Sequence, residues 1–404
     1  MQPYTLYLDL GASLTKGFFL SPQGPRPLLI GPEISAPLDR SHLEALKSMN
    51  THIRPELSAW IERSGEIRAI GQFATNFGGE SPLQERKEVR AVDKILAAIG
   101  VMAEYLHLGR DLKGHEPLLV EVKLGLLVPF SEFETRAAIY KQLRSVNSFQ
   151  FRGLPLKLLL KDLWFRPEGH GLCLAQMREL ESRGIRSDRV KVLSLMFGHR
   201  NTSLLVVENT AFQAGKSSST GPGFIEAEHA LSRVGVFQHQ DQPKLYSALL
   251  GGNPKVVLTG DAAPTDLSQP LKVAHEAYWH RLETWLNANL TPHLGDRTYL
   301  VVGGGACEAA YQGGPTIRQR LQGYFDRMGI EASHLTYGLQ PSVVGKEQPS
   351  PHVQKLSQLL MPFAAEPREL TSLITRCGDV YSSLLEPAPA EKKPAAAIAS
   401  APSL

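Results

Sequence analysis

Three short stretches place glycine beside hydroxyl or cationic residues at the ends of apolar runs. The first is Asp9-Leu10-Gly11-Ala12-Ser13-Leu14-Thr15-Lys16. Gly11 permits a tight turn and a close approach of backbone to an anion. The N–H groups that follow, with the hydroxyls of Ser13 and Thr15, make a concavity suited to phosphate oxygens, and Lys16 adds positive charge. Asp9 at the strand end can orient water around a hard ion such as Mg2+. The plainer alternative is a hairpin whose Asp and Ser cap its turn. The second stretch is Phe197-Gly198-His199-Arg200-Asn201-Thr202-Ser203. Facing the first across a cleft, it would hold phosphates from the other side; otherwise His199 and Arg200 are solvent-facing loop residues. The third, Val301-Val302-Gly303-Gly304-Gly305-Ala306, suits a flat ring or ribose pressed on backbone near a helix start. A tight packing turn is its alternative, although three successive glycines cost more backbone entropy than such a turn needs.

The elements that must position these turns follow from periodicity. Residues 4–10 alternate and run into the first turn, and KGFFL resumes as a strand, so a β-hairpin is expected. VKVLSLMF and LLVVENT flank the second turn in the same way about 190 residues later, which suggests a duplicated architecture. Val92, Ile95, Leu96, Ile99, Met102 and Leu106 have helical spacing, as do Ala274, Ala277, Tyr278, Leu282, Trp285 and Leu286. Strands are expected over 119–128, 154–164 and 255–260, and helices over 132–144, 167–186 and 223–250. The alternation of strands and helices indicates an α/β class. The expected organisation is a first domain over 1–187 with an insert at about 33–88 and a second over 188–345 with an insert at about 226–296. A C-terminal extension follows over 346–404. In it, Leu370, Leu373, Ile374, Cys377, Val380, Tyr381, Leu384 and Leu385 form a helical stripe over about 366–385, ahead of a disordered Pro/Ala-rich tail over 386–404.

Bulk properties limit the choice of function. A chain of 404 residues exceeds one ordinary core, so two domains are the default. Lys and Arg number 43 against 40 Asp and Glu, too mild an excess to argue for nucleic-acid binding or an anionic membrane surface. The three cysteines, Cys173, Cys307 and Cys377, are far apart and form no CxxC pair, which fits a reducing compartment. The sequence opens on a strand with no basic n-region or apolar h-region, and no apolar run reaches the length of a spanning helix. No signal peptide and no transmembrane segment are expected, and the expected location is cytoplasmic.

Taken together, the motifs resemble the actin, sugar-kinase and heat-shock-chaperone superfamily, and within it the plasmid-segregation (ParM-like) and archaeal actin-like proteins. DLGASLTKGFF resembles the first phosphate loop, MFGHRNTSLLVVEN the second, and VVGGGA the adenosine motif; DKILAAIGVMAEYL resembles the connecting helix. LGLLVPFSEFETRAAIYKQLRS is similar to the strand, turn and basic helix that carry the glutamate positioning the attacking water, which falls on Glu132. A first-turn acid favoured by the helix macrodipole is the other reading of Glu132. The resemblance covers roughly residues 4–345. It implies two duplicated ribonuclease-H-like domains flanking a cleft that holds ATP or GTP with Mg2+, slow hydrolysis, and polymerisation with itself. A DNA-bound or membrane-bound adaptor is an implied partner. The expected site is therefore Glu132 and Asp9 as catalytic residues, Asp9 also at the metal, and Gly11–Lys16, Gly198–Thr202 and Gly303–Ala306 at the nucleotide.

The sequence departs from the superfamily pattern at one important point. Met196 stands where an acidic residue normally precedes the second loop, and Ser203 where one normally ends it. Phosphoryl transfer depends on positioning and charge stabilisation, so weak or altered hydrolysis is expected. Two other functions compete. A small-molecule kinase of the same superfold would need a base, for which Asp162 and Asp188 are available. A degenerate scaffold would bind partners without turnover. The C-terminal stripe is expected to pack on its own domain or to dock on a neighbouring subunit or a partner protein; under the docking reading, removing residues 346–404 would change assembly geometry or partner choice and leave nucleotide binding intact.

Overall fold

The computed structural model describes residues 2–49, 53–80, 86–109, 116–235, 237–238, 241–341 and 350–386. The first lobe is built on strands β1 (Tyr4–Leu10), β2 (Thr15–Ser21), β3 (Gly24–Ile30), β4 (Trp60–Arg63), β5 (Glu66–Ala69), β6 (Leu118–Val128), β7 (Ser148–Phe151) and β8 (Leu154–Pro167). They form one mixed sheet in the order β3-β2-β1-β6-β8-β7-β4-β5. The hairpins β1–β2 and β2–β3 are antiparallel, whereas β1, β6 and β8 run parallel. Helices α1 (Arg40–Met49), α2 (Gln72–Thr75), α3 (Ala91–Tyr105) and α4 (Arg136–Ser145) lie in this part of the chain, and α5 (His170–Ser182) follows β8.

The second lobe repeats the arrangement. Its strands are β9 (Lys191–Phe197), β10 (Asn201–Glu208), β11 (Ala211–Phe212), β12 (Ser218–Pro222), β15 (Thr298–Gly303), β16 (Leu335–Tyr337) and β17 (Gln340–Pro341), with a separate two-stranded pair, β13 (Lys255–Val256) and β14 (Thr265–Asp266). The antiparallel pair β9–β10 is flanked by β15 parallel to β9 and β16 parallel to β15. Helices α6 (Ile225–Val234), α7 (Gln242–Gly251), α8 (Ser268–Asn289) and α9 (Ile317–Arg327) cover one face, and α10 (Pro351–Leu360) and α11 (Pro367–Leu384) end the described chain.

The central strands are buried on both faces because each face meets its own layer of helix. On β1, Leu6, Leu8 and Leu10 join the core packed on α3, whereas Tyr7 between them joins the core packed on α11. Phe19 and Phe18 on β2 divide in the same way. In the second sheet Leu193, Leu195 and Phe197 face α8, whereas Val192 and Met196 face α5. The chain thus crosses between lobes twice: α5 follows the first sheet and packs on the second, and α11 follows the second and packs on the first. The two crossing helices touch, and Asp379 on α11 accepts from the Gly169 and Leu172 N–H groups at the start of α5, at 2.7 and 3.2 Å. These donors have no partner within their own helix, so a buried carboxylate satisfies them.

Several elements differ in extent from their sequence-based expectation. The helix expected over 223–250 is two helices, α6 and α7, and the strand expected over 255–260 is only Lys255–Val256. Gly303 leads into a 3-10 turn over Gly305–Glu308 rather than an α-helix, which begins only at Ile317. The C-terminal stripe packs on the chain's own first sheet: Leu373, Ile374, Cys377, Val380, Tyr381 and Leu384 are buried with Tyr7, Phe18, Leu127 and Trp164. The tail expected over 386–404 lies, from 387 onward, outside the described residues.

Candidate nucleotide site

The carboxyl ends of parallel strands point into the space between the lobes, where open α/β sheets place their ligands. β1 delivers Asp9 there and β8 delivers Glu168 one residue beyond its end; β9 and β15 from the other lobe deliver Gly198 and Gly304. The result is a cavity of about 620 Å³, within the range that holds small-molecule and cofactor ligands.

The three glycine-bearing turns meet in this cavity. From the first turn, Asp9, Gly11, Ala12, Ser13 and Lys16 line it; from the second, Gly198, His199, Arg200 and Asn201; from the third, Gly304, Gly305 and Ala306. Leu14, Thr15, Thr202 and Gly303 from the expected set do not line it. Thr15 is wholly buried, the Thr202 hydroxyl donates to the Pro222 carbonyl at 2.7 Å, and Gly303 packs against Leu172 and Met196. A side chain on Gly11 would meet the Leu14 carbonyl oxygen at 2.5 Å, so the first turn closes this tightly only with glycine. Gly304 has φ +99°, and a Cβ there would lie 2.3 Å from the Phe197 carbonyl oxygen. The second and third turns are therefore pressed backbone to backbone.

Asp162 and Asp188, the sequence-based candidates for a kinase base, do not line the cavity. Asp188 pairs with Arg186 on the surface.

Lys87, Arg376 and Glu168 are among the cavity residues that had no counterpart in the sequence reading. Lys87 Nζ donates to Asp9 Oδ1 at 2.5 Å, to Glu168 Oε1, and to the Leu127 carbonyl at 3.4 Å. Arg376 on α11 donates to Ser13 Oγ at 3.2 Å and packs over Gly305, so the C-terminal helix joins the first and third turns. Glu168 carries the only signal sequence reasoning could have used: an acid followed by glycine where a strand gives way to a helix.

The charges at this end of the cavity are interlocked. Asp9 Oδ2 pairs with Lys16 Nζ at 2.6 Å while Oδ1 pairs with Lys87. Burial opposes ionisation of Asp9, but Lys16 and Lys87 outweigh it and hold its pKa well below the usual carboxylate range. Burial also works against the Lys87 ammonium, and Asp9 and Glu168 outweigh it, so Lys87 stays protonated. Burial pushes Glu168 upward. Lys94, which donates to the Gly11 carbonyl at 3.2 Å, is brought down to about 8 by burial and by the charge of Lys87.

Glu132 sits behind this group. Its side chain accepts from the Lys87 backbone N–H at 3.1 Å and pairs with Arg200 of the opposite lobe, so it bridges the lobes without lining the cavity. Met196, where the resemblance led to the expectation of a carboxylate, does line the cavity and presents a thioether.

Buried His199 and half-buried Glu228 form a pair beside the second turn, with Nδ1 3.6 Å from Oε1. Among the described residues neither ring nitrogen of His199 has a hydrogen-bond partner, and Glu228 Oε1 has none. Burial lowers His199 to about 4 and raises Glu228 to about 8, so both are neutral near pH 7. A carboxyl raised on folding contributes stability that is full below its unfolded pKa and is lost as pH rises through its folded value. Glu228→Gln mimics the neutral acid. Its melting temperature is expected to match wild type near pH 5 and to exceed it by roughly 2–5 °C above pH 8. Thermal unfolding of both proteins across that range checks this.

The cavity fits a nucleotide by three observations: glycine backbones exposed where a side chain would fill the space, unpartnered polar atoms on His199, and cations at one end. The same residues do not fit a divalent ion. Both oxygens of Asp9 already accept from ammonium groups, Glu132 is engaged by Arg200, and Met196 offers no oxygen. Among the described residues no group of three or more His, Cys, Asp or Glu is placed to hold a metal.

The arrangement defines a two-lobed α/β protein with a nucleotide-sized cleft, a plan shared by several solved structures. The chain has an actin-like fold. It superposes on a ParM from Clostridium botulinum, solved as a 15-stranded filament, with a TM-score of 0.60 at 16% identity, over 84% of this chain and 96% of that one. The archaeal actin homolog Ta0583 in complex with ADP matches with a TM-score of 0.53 at 15% identity, over 92% and 97%. The actin-like protein Alp7A matches with a TM-score of 0.52 at 13% identity, over 95% of each chain. No protein-family profile and no curated protein sequence matches the chain. Among the described residues no helix is long and apolar enough to cross a membrane.

Proposed function

We propose that this chain binds ATP or GTP between its lobes and polymerises with itself into filaments, in the cytoplasm, as a plasmid-segregation or cytoskeletal element. The observation that carries the reading is the convergence of three glycine-bearing turns, from both lobes, on one cavity with Lys16, Lys87 and Arg200 at one end. The first two turns supply N–H groups and cations for phosphates, and the third, with Arg376 above Gly305, supplies a flat surface for the nucleoside. Filament formation is supported by the fold shared with a protein solved as a filament. A DNA-bound or membrane-bound adaptor would then couple the filament to cargo.

Hydrolysis in this reading is slow, because Met196 cannot position water and Glu132 is held by Arg200. Glu132 would orient the attacking water only once Arg200 leaves it for the phosphates. Glu132→Gln is therefore expected to lower turnover about tenfold and to leave nucleotide affinity within about threefold, since it removes an interaction made in the transition state. Phosphate-release kinetics alongside equilibrium binding separate the two effects. Negative-stain microscopy with ATP, with GTP and without nucleotide tests assembly. Filaments that need nucleotide are expected; their absence under all three conditions contradicts the filament reading.

A further inference from the structure

We propose that the Lys87 ammonium is the built-in cation of the phosphate end of this cleft, so that nucleotide binds here without a divalent metal ion; this rests on the nucleotide-binding reading above. Lys87 lies four residues before α3, and its side chain is 8% exposed. Its three N–H donors meet three oxygens: the Asp9 and Glu168 carboxylates and the Leu127 carbonyl. Two carboxylates and a carbonyl form the hard oxygen set that a divalent cation prefers. Here a lysine from within the chain fills it.

The surrounding groups close off the alternatives. The second oxygen of Asp9 accepts from Lys16 at 2.6 Å. Glu132, which could otherwise face bound water, accepts from Arg200 and from the Lys87 backbone N–H. Met196 offers a thioether and no oxygen, and of the other carboxylates lining the cavity Glu308 pairs with Arg318 and Glu369 accepts from the Ala365 N–H. Asp9 and Glu168 against Lys16 and Lys87 make a cluster whose formal charges cancel when both acids are ionised. A divalent ion placed among these ammonium groups would meet uncompensated repulsion at short range. With its three donors taken by protein oxygens, Lys87 acts on phosphate through its charge and by neutralising Asp9 and Glu168, which would otherwise repel the anion.

The experiment measures equilibrium binding of ATP and of GTP to the full chain in excess EDTA and in excess Mg2+. The affinity of wild type is expected to agree between the two conditions within about threefold. Lys87→Met is expected to lose about tenfold or more in EDTA, while Lys87→Arg, which keeps the charge, retains EDTA-resistant binding. Wild-type binding that falls about tenfold or more on chelation overturns the inference and leaves the nucleotide reading standing. A folded Lys87→Met that binds as wild type does in EDTA overturns it too. If neither nucleotide binds in either condition, the nucleotide reading fails, and this inference fails with it. Should Lys87→Met fail to fold, the wild-type and Lys87→Arg measurements decide.

Discussion

A chain ended after Glu366 is expected to yield no stably folded protein. The helix it lacks, α11, buries Leu373, Ile374, Cys377, Val380, Tyr381 and Leu384 against Tyr7, Phe18, Leu127 and Trp164 of the first sheet. Burial of such side chains is worth about 1.5–3 kcal/mol each, so the helix contributes on the order of 10 kcal/mol, comparable to the whole stability of an ordinary domain. The truncation also removes Asp379 from the start of α5 and Arg376 from Ser13. Soluble yield, cooperative thermal unfolding and nucleotide binding should all be lost together. Tyr381→Ala, which opens a cavity in the same core, should cost roughly 3–5 kcal/mol in denaturant unfolding. A truncated chain that still folds and binds nucleotide would show that α11 is an accessory and not part of the core. The docking reading of the stripe required that outcome.

Gly304→Val is expected to be the most damaging single change in the cleft. The backbone there has φ +99° and ψ 154°, a region open essentially to glycine alone and costing other residues roughly 1–3 kcal/mol. The new Cβ would also lie 2.3 Å from the Phe197 carbonyl oxygen, and that oxygen belongs to backbone that cannot swing aside. Relief requires the second and third turns to part, which moves the backbone N–H groups of one and the nucleoside surface of the other. A loss of about 3 kcal/mol or more in stability and at least about tenfold in nucleotide affinity should follow. Urea unfolding and equilibrium binding measure the two losses.

The parts of this site that could be read from the sequence are those assembled by local chain. Asp9 to Lys16 is a two-strand hairpin, and its turn chemistry is written in adjacent residues. The second turn repeats that logic, and the third announces itself by consecutive glycines. The helices over 91–105 and 268–289 were equally legible: the second carries a buried face at helical spacing, and the first is buried almost all round by its run of apolar residues. What the sequence did not reveal is what long-range topology brings in. Lys87 lies 78 positions from the aspartate it pairs with, and Arg376 lies 363 from Ser13. Neither sits in a glycine-framed turn, so no local signal marks them. The role of α11 was hidden for the same reason: an amphipathic stripe states that a helix must be covered, and says nothing of which sheet covers it.

Hydrogen exchange measured with and without bound nucleotide tests whether one ligand spans both lobes. A ligand held between the lobes must protect residues 10–16, 198–203 and 303–309 together, and because Arg376 bridges two of these turns, the peptide carrying it should be protected with them. Protection confined to one lobe, or saturating nucleotide that leaves all three turns exchanging as in the free protein, would contradict the account.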